Sequence, residues 1–263
     1  SGYSEINHSD QPGPVPFRSL HGNLYQHVSV YNNYIHVEPM ATRQAADHVK
    51  ALNNTLAYFR QKGHHPKVQR MDNETSNLMK KYLESKDLTA SYVPPSTHRR
   101  NRAERAIQAW KNHFISVNAT LHPSCPSSAW EEFLEQAEMT LNHLRPYGPN
   151  STKSAYEGLH GHQHDFHGHP IAPCGTRVMI YETPRDRASW AAHGVSGFYT
   201  GPAMQGHYRC YNVLVASTLT NRVSDSLAWF PDAFSMPGSS PDELFQAAIS
   251  DLATACSRMV PNT

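Results

Sequence analysis

From Asn23 to Pro39 the chain reads NLYQHVSVYNNYIHVEP, and apolar and polar positions alternate. Leu24, Val28 and Val30 share one parity, and Ile35 and Val37 repeat it beyond Asn32-Asn33. That pattern predicts two antiparallel strands around a tight turn. A weaker strand candidate, YSEINHSD, precedes them and ends at Asp10. The period then changes. Ala45, Val49, Leu52, Leu56 and Phe59 recur at steps of three and four, with Gly63 as a C-terminal cap, which predicts an amphipathic helix over 41–62. KVQRMD, set off by Pro66, predicts a short strand ending at Asp72. Leu78, Tyr82 and Leu83 predict a short helix, and TASYV (89–93) one more strand before Pro94-Pro95 forces a loop.

The longest apolar stripe follows: Ala103, Ala106, Ile107, Trp110, Phe114 and Val117. Trp130, Phe133, Leu134, Ala137, Leu141 and Leu144 predict a further helix with these residues facing inward. Both tryptophans fit a core better than a binding surface. Three antiparallel strands leading into alternating helices and strands predict an α/β fold, a mixed sheet with helices on both faces. HGHQHDFHGHPIAP (160–173) breaks the pattern. From Thr176 to Phe230 helical period is weak, and TRVMIYE, GFYTGPA, HYRCYNVLV and RVSDSLAWF read as strands of a small, barrel-like β module. The division is therefore a core over 1–159, a His/Pro-rich linker over 160–173, a β module over 174–231, and a polar tail over 232–263 with a loose helix in 240–259.

Composition narrows the chemistry. Twenty-three Lys and Arg against 22 Asp and Glu give a net charge of +1, so any basic site must be local. Between Lys80 and Lys111 stand eight Lys/Arg and three Asp/Glu, an excess of five, and the rest of the chain is slightly acidic. Four cysteines lie far apart without a CxxC pair, the usage of a reduced intracellular protein. No apolar run approaches the roughly 20 residues of a membrane span, and no signal peptide is visible. The abrupt start at SGYSEINHSD and the polar end suggest a piece of something longer.

The basic excess centres on HRRNRAERAIQAWKNHF, where His98, Arg99, Arg100 and Arg102 precede a helix carrying Glu104 and Lys111. Such a patch beside a helix N-terminus attracts a phosphate backbone. Glu104 reads either as an ion-pair partner on a solvated face or as a group that acts where phosphates come. With one turn of the helix per 3.6 residues, it falls beside the edge of the stripe begun by Ala103. Asp10 and Asp72 both end strand candidates, and either is also a plausible turn or cap residue. Three carboxylates meeting from two strand ends and a helix can hold two hard divalent cations about 3.5–4 Å apart. Their order and context favour that metal site over three unrelated residues. The five histidines of HGHQHDFHGH fit no zinc spacing with a second ligand pair and read as a polar loop. Tyr208, Arg209 and Tyr211 offer stacking and charge to nucleic acid, and equally ordinary packing on a strand.

HSDQPGPVPFRSLHGNLY, RMDNETS and NRAERAIQAWKNHF, in that order, resemble the three segments that bear the Asp, Asp and Glu of Ty1/copia-type retrotransposon integrases. AWEEFLEQAEMTLNHLRP and KSAYEGLHG are similar to the end of that family's core, and GFYTGPAMQGHYRCYNV with RVSDSLAWF to the β module that follows it. The resemblance covers roughly 3–231. It implies an RNase H-like five-stranded core and a two-metal site of Asp10, Asp72 and Glu104, with Mg²⁺ or Mn²⁺. It implies processing and joining of element DNA ends into target DNA, with DNA and further copies of the chain as partners. Neither a membrane nor a small-molecule substrate is implied. It also implies synthesis within a polyprotein and action in the nucleus, not secretion. A decayed or repurposed DNA-binding or interaction protein with the same fold is the alternative. The chain departs from the family in a shorter stretch between Asp72 and Glu104, in DNETS where Asp-Asn-Gly-Gly-Glu-Phe is common, and in lacking the zinc-binding His/Cys domain before the core.

Overall fold

The computed structural model describes residues 5–71, 76–92, 102–182, 193–204, 208–230 and 249. Its first sheet contains β1 (Ile6–Asp10), β2 (Tyr25–Tyr31), β3 (Tyr34–Met40), β4 (Val68–Met71) and β5 (Thr89–Tyr92), in the order β3-β2-β1-β4-β5. β3, β2 and β1 pair antiparallel, whereas β4 and β5 run parallel to β1. This is the mixed five-stranded sheet of an RNase H-like fold. The β2–β3 turn falls on Asn32 and Asn33, with φ of 50° and 73°. Asparagine tolerates that left-handed region better than other side chains, and two such residues give the turn that matches strand twist.

α1 (Ala45–Gln61) buries Leu52, Leu56 and Phe59, as the periodicity predicts. Gly63 follows with φ of 81°, and His64 N–H reaches back to Phe59 C=O at 2.9 Å, closing the helix with a left-handed cap. Together with α2 (Asn77–Ser85), α1 covers one face of the sheet. The other face carries α3 (Arg102–Ala119), a 3₁₀ helix (Ser127–Phe133) and α4 (Leu134–His143). Val28, Val30, Ile35 and Val37 pack there against Ala106, Trp110, Phe114, Trp130, Phe133 and Leu141. Fully burying such a side chain contributes about 1.5–3 kcal/mol.

Two expectations change here. The run from Trp130 to Leu144 is two elements, because its first four residues end the 3₁₀ helix begun at Ser127 and advance the helical phase differently. Leu144, expected to face inward, is 79% exposed. It follows the last residue of α4 as its C-cap, where the helical period no longer applies. α5 (Ala155–His160) has only six residues, too few to show a period, and Ser154 caps it by accepting the Glu157 N–H at 3.1 Å.

The edge of β3 is closed by side chains of α4 in place of a sixth strand. Asn142 accepts the Ile35 N–H at 2.9 Å and donates to the Ile35 C=O at 2.8 Å. Glu138, one turn earlier, accepts the Val37 N–H at 3.0 Å and the Tyr34 hydroxyl at 2.9 Å. Its carboxylate also meets His36 Nδ1 at 3.0 Å, while Glu38 meets Nε2 at 3.0 Å. Burial alone lowers the His36 pKa, but Glu138 and then Glu38 outweigh it and raise it to about 9.

The second sheet is antiparallel throughout, with β6 (Arg177–Tyr181), β7 (Gly194–Pro202), β8 (Tyr211–Val215), β9 (Asn221–Ser224) and β10 (Leu227–Trp229) in the order β10-β6-β7-β8-β9. RVSDSLAWF, expected as one strand, is split by a turn in which Ser226 N–H donates to Ser224 Oγ. Tyr211 packs edge-on against Trp229 at 5.2 Å, so it serves the module's interior, whereas Tyr208 is exposed with Arg209 over its ring. The module rests on α4: the Tyr199 hydroxyl donates to Gln136 Oε1 at 2.7 Å, and Gln136 Nε2 donates to Ala172 C=O at 2.6 Å. The linker between them is a turn in which Asp165 accepts the His167 and Gly168 N–H groups at 3.0 Å. The helix expected in 240–259 lies outside the described residues, Ile249 excepted.

Candidate active site

Asp10 is the last residue of β1, the central strand, and pairs with Val28 across the antiparallel β1–β2 ladder. Residues directly opposite in such a ladder project to one face. Val28 packs under α3, so Asp10 emerges on the face that α3 covers. Its Oδ1 accepts the Gln11 N–H at 2.7 Å, which fixes the carboxyl at the point where the strand ends. β4 runs parallel to β1 in step with it, from Ile6 beside Val68 to His8 beside Arg70, and ends at Met71. Asp72, the next residue, lies outside the described residues.

α3 is held in place by its buried line of Ala106, Trp110 and Phe114. Trp110 donates from Nε1 to Gln26 Oε1 at 2.7 Å and stacks on Phe114 at 5.0 Å. Glu104 lies in the first turn and is exposed. The sequence pattern sets it beside the core edge. The centre of the buried stripe is Trp110, and six residues at about 100° each turn Glu104 some 120° away from it. Lys111, seven residues on, returns to the face of Glu104 and is exposed too. Arg102 opens the helix, while His98, Arg99 and Arg100 lie outside the described residues.

Asp10 thus ends a strand on the sheet face that α3 covers, and Glu104 lies in the first turn of that helix. Among the described residues no three His, Cys, Asp or Glu side chains stand close enough to hold a metal ion. Two imidazoles near the end of β1 escaped the sequence pattern. His27, on β2, is buried, and burial followed by the neighbouring His48 and His36 pushes its pKa down to about 3. His48, from the first turn of α1, stands edge-on to it at 6.0 Å, and burial likewise lowers its pKa. Both are neutral at pH 7. Nothing in a single sequence signals this pair, because a strand and a helix contribute one ring each. A cavity of about 680 Å³ lies elsewhere, between α4, α5 and β7, and contains neither Asp10 nor Glu104.

No family model matches this chain, and no curated protein matches it. Among solved structures it is similar to a chain of the simian T-cell lymphotropic virus intasome in complex with PP2A regulatory subunit B56 gamma. Identity there is 16%, covering 86% of this chain and 78% of that one, with a TM-score of 0.48. It is also similar to the HTLV-2 integrase catalytic core domain in complex with magnesium (17% identity, 60% of this chain and 96% of that one, TM-score 0.45). A third is the catalytic core domain of BIV integrase (14% identity, 59% and 93%, TM-score 0.43).

Proposed function

We propose that this chain is the catalytic core and following β module of a Ty1/copia-type retrotransposon integrase, which cuts and joins DNA. One observation carries the reading: Asp10 ends the central strand on the sheet face covered by α3, and Glu104 lies in the first turn of α3. The ordered motifs around Asp10, Asp72 and Glu104 support it, as does the order of the five strands.

Asp10, Asp72 and Glu104 would hold two Mg²⁺ or Mn²⁺ ions, for which carboxylate oxygens are the fitting hard donors. The exposure of Glu104 and the strand-end position of Asp10 suit that role, since neither carboxylate is enclosed by the core. When bound, such ions lower the pKa of an attacking water or 3′-hydroxyl and stabilise the leaving oxygen. His98, Arg99, Arg100, Arg102 and Lys111 would bind phosphates, which orient the strand without reading its bases. Their charge also offsets the repulsion between the three carboxylates and the DNA backbone. Action in the nucleus, on two DNA ends held by several copies of the chain, belongs to the same proposal.

The test is a strand-transfer assay with the element's own terminal DNA, in Mg²⁺, in Mn²⁺ and with chelator, on the wild type and Glu104→Gln. The substitution keeps size and shape and removes the charge a hard cation needs. Joining should fall by more than the roughly 10- to 100-fold typical of losing an outer-shell partner of a metal site. The melting temperature should hold, and metal-free DNA binding should stay equal or tighten. Joining by Glu104→Gln at the wild-type rate removes Glu104 from the site. DNA binding by the wild type without joining in either metal selects the decayed-element alternative.

A further inference from the structure

Beside the first turn of α3 opens a cavity of about 490 Å³. Its floor is Ile6, His8 and Val30 of β1 and β2, one wall is Arg105 and Ala106 of α3, and the other is the Asn32-Asn33 turn with the segment from Arg145 to Ser151. The volume is in the range of small-ligand sites. Among the described residues its lining includes two arginines and no aspartate or glutamate. Neither Arg105 nor Arg145 has a carboxylate partner among the described residues.

Arg145 is fixed in place. Its Nε donates to Asn33 C=O at 2.9 Å and its Nη2 to Asn33 Oδ1 at 2.5 Å. The wall is tied down further by Asn33 Nδ2 donating to Pro146 C=O at 2.7 Å and Gly148 N–H donating to Asn32 C=O at 2.8 Å. Of the five guanidinium hydrogens, three remain for another acceptor. Burial pushes the Arg145 pKa down with no opposing charge beside it.

We propose that this cavity takes one nucleotide of a DNA strand, with its phosphodiester between Arg105 and Arg145. The inference rests on the reading of the chain as a DNA-joining enzyme, and Arg105 is the neighbour of Glu104 in that reading. The subsite lies beside the first turn of α3 and steers the strand entering there. Its guanidinium fork suits a phosphate better than a lysine would.

The experiment is fluorescence anisotropy of the full chain with a labelled 30-base-pair duplex, over a range of salt concentrations, without metal. Arg105→Gln lies on an exposed helix position and leaves folding intact. Arg145→Gln is the second variant, and Lys50→Gln, exposed on α1, is the control. Each arginine variant should reduce the slope of log affinity against log salt by about 0.9, hence affinity about eightfold at 0.1 M salt, while the control changes neither. If wild type and Arg105→Gln bind the duplex with the same slope, the subsite is overturned and the wider reading survives. If the wild type does not bind the duplex at all, the DNA reading falls, and the subsite with it.

Discussion

His36 should make the stability of this protein fall as pH rises from neutral into the alkaline range. The ring sits between Glu138 and Glu38 with only 8% of its side chain exposed, and it stacks on Tyr58 at 4.3 Å. Its pKa is raised from 6.5 to about 9. A raised folded-state pKa means that the native protein holds this proton more tightly than the unfolded chain. The stabilisation is therefore complete below pH 6.5 and is lost as pH climbs through 9. The shift from 6.5 to about 9, at 1.36 kcal/mol per pH unit, corresponds to about 3 kcal/mol. That is a substantial part of the 5–15 kcal/mol typical of folded domains.

Urea unfolding at pH 6 and pH 9, on wild type and His36→Gln, isolates the effect. Glutamine still hydrogen-bonds Glu138 but carries no proton to lose. Burial pushes the thiols of Cys125 and Cys174 up to about 12, so they also favour the unfolded chain at high pH. They contribute equally to both proteins and cancel in the difference. The wild type should lose about 3 kcal/mol more than His36→Gln between the two pH values. Glu138→Gln should weaken the same dependence, because the larger of the two carboxylate contributions to the raised pKa is lost. Equal losses in wild type and His36→Gln would refute the reasoning.

Three further outcomes follow from particular contacts. A Cβ at Gly158 would stand 2.1 Å from the Tyr147 ring, so Gly158→Ala should destabilise by about 1–3 kcal/mol in urea unfolding. Tyr199→Phe removes a 2.7 Å hydrogen bond to buried Gln136; it should cost about 1–2 kcal/mol and make the 160–173 linker cleavable at lower protease concentration. Replacing Arg99 and Arg100 together with alanine should weaken binding to all DNA sequences alike and lower the salt slope by about two, whereas a loss confined to one sequence would show that they read bases.

The strands and long helices were legible because each shows its period over several turns or alternations. Val28 and Val30 declare the sheet face, Leu52, Leu56 and Phe59 the helix, and Asn32-Asn33 the turn. Asp10 was legible as a strand end for the same reason. Phase was less legible. Ala103, Ile107 and Trp110 define a stripe but not its centre, and that centre decides how far Glu104 turns toward solvent. Least legible were contacts between elements that share no period. Glu138 lies 102 residues from His36, and Arg145 lies 112 from Asn33. In sequence Glu138 and Asn142 look like the polar face of a surface helix, yet both are buried.

Those buried polar residues explain how one short helix serves two parts of the molecule. On α4, Glu138 and Asn142 are four residues apart and fall on one face, toward the open edge of β3. Gln136 is two residues from Glu138, about 200° around the helix, and faces the β module. It binds Tyr199 and Ala172 there, while Glu138 and Asn142 bind Val37 and Ile35. With the Ile35 N–H and C=O and the Val37 N–H taken by side chains, the middle of β3 is closed to edge-to-edge pairing with another strand. The same helix that blocks it positions the module. The polar side of α4, which sequence alone assigns to solvent, is therefore what joins the module to the core sheet. A substitution there should disturb both, whereas a substitution at Lys111 or Glu104, exposed on α3, should leave them in place.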